Sequence, residues 1–220
     1  MTRRNELERH RVSLVEIRNI IYSMKTLAYM ETRKLRGFLA AQRSVVQGIE
    51  EVAVDLLSFY PDALPDAEAK RPLYILIGSE RGFCGDFNQA LVREMESATR
   101  EYLADNPLII PIGRKLCSLL DGSANVVARI DGANVVDEVT TVVSSLVDQF
   151  LHLQKQRPVL SVFALHHDCQ GHILVQKLLP PFQRCVQHLP RFSHPPVLNQ
   201  GLQSFITELT DHYLFAVLYE

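Results

Sequence analysis

Nothing constrains this chain more than what its first third lacks. Between Arg3 and Phe59 there is no proline, and glycine occurs only at Gly37 and Gly48, so one helix can run through the whole stretch. At 1.5 Å per residue it would reach roughly 80 Å, longer than a small domain is wide. Leu7, Leu14, Ile21, Ala28, Leu35, Gln42, Ile49 and Leu56 form one series with a spacing of seven. His10, Ile17, Met24, Glu31, Phe38, Val45, Val52 and Phe59 form the complementary one. Only His10, Glu31 and Gln42 interrupt the stripe. A seam this narrow and persistent predicts a coiled-coil helix, whose apolar knobs must enter holes on another helix.

The opposite face carries Arg3, Arg4, Arg9, Arg11, Arg18, Lys25, Arg33, Lys34, Arg36 and Arg43. Such a run reads as a solvated helix surface or as a docking face for an acidic partner. Nucleic acid is disfavoured, because the chain as a whole has a formal charge of −2 and the basic residues are not interleaved with aromatic ones. No run reaches the roughly 18 apolar residues that span a bilayer, and the charged start lacks the apolar core of a secretory signal. The chain is therefore expected on the cytosolic side. Cys84, Cys117, Cys169 and Cys185 form no Cys-x-x-Cys pair, which points to free thiols rather than a zinc site or a redox dithiol.

Proline at 61, 65 and 72 with acids and alanines between marks residues 61–72 as a linker. Beyond it the pattern changes to short apolar runs alternating with helical ones. Strands are expected at 73–77, 108–112, 125–130, 158–165 and 173–179, and helices at 87–102, 113–120, 135–153 and 202–219. Alternation of this kind predicts an α/β domain with a Rossmann-like, mostly parallel sheet covered on both faces. The last two strands flank 168–171, which reads as a hairpin turn. The expected organisation is thus a shaft helix at 1–60, a linker at 61–72, an α/β domain at 73–200 and the start of a further helical region at 201–220.

The most informative short segment is Gly78-Ser79-Glu80-Arg81-Gly82-Phe83-Cys84-Gly85-Asp86-Phe87-Asn88. A glycine-rich turn between strand and helix can cradle a phosphate on its backbone amides. Here no Lys-Ser or Lys-Thr follows Gly85, and the glycines do not make Gly-x-Gly-x-x-Gly. Asp86 with Gln89 instead predicts a capping box at the helix start. Arg81, Gly82, Cys84 and Gly85 are therefore read as a structural turn, with no base beside Cys84 to activate it. His166, His167, Asp168, Cys169 and His172 form a cluster of metal-ligand types. Neighbouring strand residues point to opposite faces, which favours a polar hairpin over a metal site.

The order of these parts resembles the gamma subunit of F-type ATP synthases. Ser23-Met24-Lys25-Thr26-Leu27-Ala28 on the long helix and Ser79-Glu80-Arg81-Gly82-Phe83-Cys84-Gly85 with Asn88 after the first strand carry the likeness. Ile112-Gly113-Arg114-Lys115 and Leu178-Leu179-Pro180 extend it, so that it covers essentially the whole chain. Phe83 and Asp86 stand where the family usually has leucine and a small residue, which implies a divergent branch. The family continues with a long helix antiparallel to the first, so a chain ending at Glu220 reads as lacking that C-terminal coiled-coil helix.

The resemblance implies a non-catalytic rotor shaft inside a hexamer of alternating alpha and beta subunits, with the epsilon subunit and the membrane c-ring as further partners. It would couple ion translocation to ATP synthesis or hydrolysis by rotation, peripheral to the cytoplasmic face of the inner (plasma) membrane. No cofactor or metal is implied. Met24, Lys25 and Ala28 would lie where the first helix meets acidic lever loops of the catalytic subunits. Two other readings are a cytosolic α/β binding module with a basic coiled-coil arm and a small α/β enzyme. The first leaves the Arg-Gly-x-Cys-Gly segment unexplained, and the second leaves the arm idle.

Overall fold

A computed structural model of the chain describes residues 2–64, 72–101, 106–156, 161–183, 185 and 190–219. The first helix, α1, runs from Thr2 to Leu57, as the absence of proline allows. It ends where Pro61 approaches: the residue before a proline is pushed out of the helical region, and Tyr60 sits at φ −128° and ψ 62°. Pro61–Ala63 then forms one 3-10 turn. Residues 65–71 of the expected linker lie outside the described residues. The chain separates into two compact units, Met1–Ala41 and Gln42–Glu220, so the division falls within α1 and its last turns belong with the α/β unit.

In that second unit β1 (Leu73–Ile77), β2 (Leu108–Ile112), β3 (Val162–His167) and β4 (Ile173–Leu179) make one sheet in the order β2-β1-β3-β4. β1 is parallel to both β2 and β3, and β4 runs antiparallel beside β3. The helices are α2 (Phe87–Glu101), α3 (Arg114–Leu119), α4 (Val139–Gln156) and α5 (Leu202–Tyr219). Residues 102 and 157–160, at the ends of an expected helix and an expected strand, lie outside the described residues.

The alternation of side chains along a strand divides the core in two. Leu73 and Ile75 join Leu108, Ile110, Val162, Ala164 and Leu178 in one cluster, with the end of α1, α4 and α5. Tyr74 and Leu76 join Ile109, Phe163 and Leu165 in the other, with Leu91, Met95 and Ala98 of α2 and Leu116 of α3. The spacing of Leu91, Met95 and Ala98 places them on one helical face. Each such leucine or isoleucine contributes about 1.5–3 kcal/mol by leaving water.

Two local expectations need correction. Residues 125–130 do not form a continuous strand; only Val126 and Ile130 make isolated parallel bridges, to Ile109 and Ile112. Ile109 N–H donates to Asn125 and Val127 N–H returns to Ile109, but the next donor in β2 would be Pro111, which has no N–H. The ladder breaks there. Nor does the expected second heptad series face the core at the end of α1. Val45 and Val52 are 51% and 44% exposed, whereas Val46 and Ala53, one residue further on, are 9% and 0%. A straight helix laid on a globular core buries a broad i, i+3, i+4 face, and Gln42, Val46, Ile49, Ala53, Leu56 and Leu57 supply it. Gln42 fits that face because its Nε2 donates to the Ala216 carbonyl at 2.8 Å.

Candidate functional site

The first unit is a stretch of α1 whose apolar side chains are open to solvent: Leu7, Leu14, Ile17 and Ile21 are 66%, 64%, 49% and 60% exposed. Its sequence holds nine Lys and Arg against four Glu. Glu8 pairs with Arg11 at 2.7 Å and Glu31 with Lys34 at 3.1 Å, one helical turn apart in each case. Lys25 and Ala28 are exposed and Met24 is partly covered. Ser23, Thr26 and Thr32 return their hydroxyls to the carbonyls of Asn19, Tyr22 and Ala28, four residues back. The hydroxyls of these three residues near Met24 are thus engaged with their own helix, while Lys25 and the rings of Tyr22 and Tyr29 face outward.

The second candidate lies at the carboxyl end of β1. Asn88 in the first turn of α2 accepts the Ser79 N–H on Oδ1 and donates from Nδ2 to Ser79 Oγ, both at 2.9 Å, fixing the strand exit against the helix. Glu80 turns inward. Its Oε2 accepts the N–H groups of Arg114 and Gly132, each at 2.8 Å, and its Oε1 lies 2.7 Å from Arg114 Nη2. Burial opposes charge on this carboxyl, but the two amides and the guanidinium outweigh it and hold Glu80 below its ordinary titration range. Gly113, at φ +103°, lets these segments cross: a Cβ there would sit 2.9 Å from backbone atoms of Gly78 and Ser79.

The turn that follows is left-handed at Phe83 (φ 64°) and Gly85 (φ 59°). Arg81 Nε donates to Asn134 Oδ1 at 3.1 Å, and Asn134 N–H donates to Glu138 at 2.7 Å. Gly82 lies beneath the Lys115 chain, its Cβ position 3.6 Å from Lys115 Cε. Cys84 Sγ is within 3.3 Å of the Arg81 carbonyl and 3.5 Å of that of Gly82. Phe83 has no cover at all, at 105% exposure. The expected capping box does not form: Asp86 directs its carboxylate to Arg93 Nη2 at 3.0 Å, since a cation within reach competes with weaker bonds to the helix's first amides.

The histidine cluster is spent on the hairpin. His167 stacks on Phe87 with ring centroids 3.9 Å apart and donates from Nε2 to the Phe87 carbonyl at 3.0 Å. Asp168 Oδ1 accepts from the amides of Gln170 and His172, both at 2.8 Å, closing the turn. Cys84 and Cys169 are exposed, Cys117 is half-buried and Cys185 is buried; burial pushes the thiols of Cys117 and Cys185 up from their ordinary range. Sequence reasoning missed Glu80 and the Asn134–Glu138 tie. Their partners lie 34, 52 and 53 residues away along the chain or in a loop without periodicity, so no local pattern announces them.

The structure thus gathers Arg81, Gly82, Cys84 and Gly85 into one turn, and Met24, Lys25 and Ala28 onto one stretch of α1. Among the described residues, no helix is long and apolar enough to cross a membrane. The ATP synthase family profile matches residues 3–220. An ATP synthase gamma chain of Syntrophus aciditrophicus is 25% identical over 70% of this chain and 62% of its own length. One of Clostridium botulinum (strain Okra / Type B1) is 21% identical over 94% of this chain and 74% of its own. The chain therefore spans roughly three fifths to three quarters of these curated relatives. A chain in the cryo-EM structure of the Tetrahymena thermophila mitochondrial ATP synthase central stalk and c-ring shares the fold, with a TM-score of 0.56 at 16% identity over 89% of each chain. A long amino-terminal helix, a β2-β1-β3-β4 sheet and a profile match from residue 3 to residue 220 agree: the chain belongs to the gamma-chain family of ATP synthases.

Proposed function

We propose that the chain acts as a non-catalytic central-stalk subunit, coupling ion movement through a membrane sector to ATP synthesis or hydrolysis by rotating within a catalytic hexamer. The family match across both units, arm and sheet alike, is the observation that carries this reading. Its partners would be the alpha and beta subunits around the arm, and the epsilon subunit and c-ring, with the chain peripheral to the cytoplasmic face of the membrane. A shaft changes the affinity of each catalytic site only if it makes different contacts at different angles. The arm offers the needed asymmetry: exposed apolar side chains interleaved with an excess of positive charge.

Met24, Lys25 and Ala28 are assigned to the surface that meets acidic loops of the catalytic subunits, and residues 81–85 to a structural turn. The test is co-expression with the alpha and beta subunits of the same synthase, followed by reconstitution and measurement of ion pumping against ATP hydrolysis. The chain should co-purify with the hexamer and support pumping. Lys25→Glu should weaken coupling at low salt, by about 1 kcal/mol or less per exposed pair. Purification of the chain alone, with no hexamer retained, would overturn the assignment.

A further inference from the structure

We infer that Glu80 is the positioning residue for the exposed turn at 81–85, fastening the exit of β1 to the start of α3 and to the loop at Gly132 through a single carboxylate. The functional consequence rests on the rotor reading; the structural one does not.

The turn cannot hold itself. Its tip, Phe83, is at positive φ and wholly exposed, so no packing of its own side chain fixes it, and a bulky residue in the left-handed region persists only when its surroundings impose it. The thiol of Cys84 ties the turn internally, to carbonyls of the turn itself. Its connections to the rest of the unit are at the base: Arg81 to Asn134, and Glu80 to Arg114 and Gly132. Glu80 is the stronger. Its side chain is only 7% exposed while that of Arg114 is 67% exposed, so one end of the pair is anchored within the unit and the other faces outward.

Glycine makes the crossing possible. The Cβ position of Gly132 is 3.2 Å from Gly113 Cα and 3.3 Å from Glu80 Cβ and Oε2, and that of Gly113 is 2.9 Å from Gly78 and Ser79. Three backbone segments therefore meet around one carboxylate. A buried carboxylate is costly unless it is paired; here Oε2 accepts both amides and Oε1 faces the Arg114 guanidinium as an ion pair at 2.7 Å, and hydrogen bonds to a charged group are the strong ones. A turn presenting an arginine and a bare aromatic ring can transmit force to a partner only if its base does not yield, and Glu80 is placed to prevent that.

Residue-resolved hydrogen exchange on the full chain tests this. Glu80→Gln keeps one oxygen for the two amides but turns an NH2 toward the Arg114 guanidinium, donor against donor. Exchange at Arg114, Gly132 and residues 81–86 should quicken by about tenfold or more, while Ile75 and Leu165 in the sheet stay unchanged. Adding Arg114→Gln, which can accept from the new amide, should restore much of the protection. Equal acceleration throughout the unit, or none at 81–86, overturns the positioning role. In the reconstituted synthase, Glu80→Gln should lower ions pumped per ATP hydrolysed and the double variant should recover it. An unchanged ratio beside faster local exchange overturns the functional half. If the unaltered chain fails to enter the synthase, the rotor reading falls, and the exchange experiment alone decides the place of Glu80.

Discussion

The two stretches of α1 share a helix and a heptad rhythm and differ in what surrounds them. In residues 42–57 the apolar side chains enter a core with the sheet and α5: Ala53, Leu56 and Leu57 are at most 1% exposed. In residues 2–41 the same rhythm leaves Leu14, Ile17 and Ile21 in solvent. The comparison teaches that a heptad pattern specifies the need for a covering surface without specifying its source. It also shows that the choice of face is not settled by period alone: Gln42, Ile49 and Leu56 of the first expected series lie on the buried face, whereas Val45 and Val52 of the second give way to Val46 and Ala53, one residue further on.

The largest effect expected from this contrast is on stability. Leu56→Ala should destabilise the chain by about 2–5 kcal/mol in urea unfolding, the usual range for emptying a buried leucine site. Leu14→Ala should change it by no more than about 0.5 kcal/mol. Equal costs would mean that the first stretch is packed as well as the second. Glycine extends the contrast to the arm and the α/β unit, where one substitution should act with opposite signs. Gly113→Ala meets backbone at 2.9 Å and a positive φ and should cost about 2 kcal/mol or more. Gly37→Ala meets nothing within 4 Å and should raise helix stability by up to about 1 kcal/mol, read as helicity and melting temperature.

A third comparison is by pH. Glu80 titrates below its ordinary value in the folded unit, so its stabilising contribution is complete above the unfolded carboxyl's pKa, about 4.3, and disappears as pH falls through the folded value. Glu80→Gln should flatten the acid limb of the stability profile, and an unchanged limb would show that the carboxylate's partners do not favour its charged form. The smallest effect concerns Arg191, which holds Asp55 of α1 at 2.7 Å while half exposed itself. Arg191→Ala should leave the urea midpoint nearly unchanged, as loss of an exposed pair does, and a clear drop would show that the loop at 190–196 secures the end of α1.

Much of the fold was legible because it follows from short-range rules. The lack of proline up to residue 61, the five-residue apolar strands and the even spacing of Leu202–Tyr219 each identify an element without knowledge of its neighbours. What resisted reading depends on partners distant in sequence. Pro111 sits in an apolar run that reads as an ordinary strand, and its effect falls on residues 125–130, which themselves look strand-like. Asp86 has the right spacing for a capping box, yet Arg93 seven residues on takes its carboxylate. Within the candidate site, the cluster at 81–85 was visible from its glycines, while Glu80 was hidden because its two hydrogen bonds close loops of 34 and 52 residues.

Pro111 has a further consequence, for contacts between copies of the chain. β2 stands at the margin of the sheet, fully buried in its side chains and rich in isoleucine. A margin of this composition is what stray copies would extend by adding strands of their own, the first step toward insoluble aggregates. Where a newcomer would need a donor from residue 111, the ring offers none, and residues 126 and 130 already occupy the positions on either side. The missing N–H that breaks the ladder within one molecule would interrupt in the same way a strand added from another.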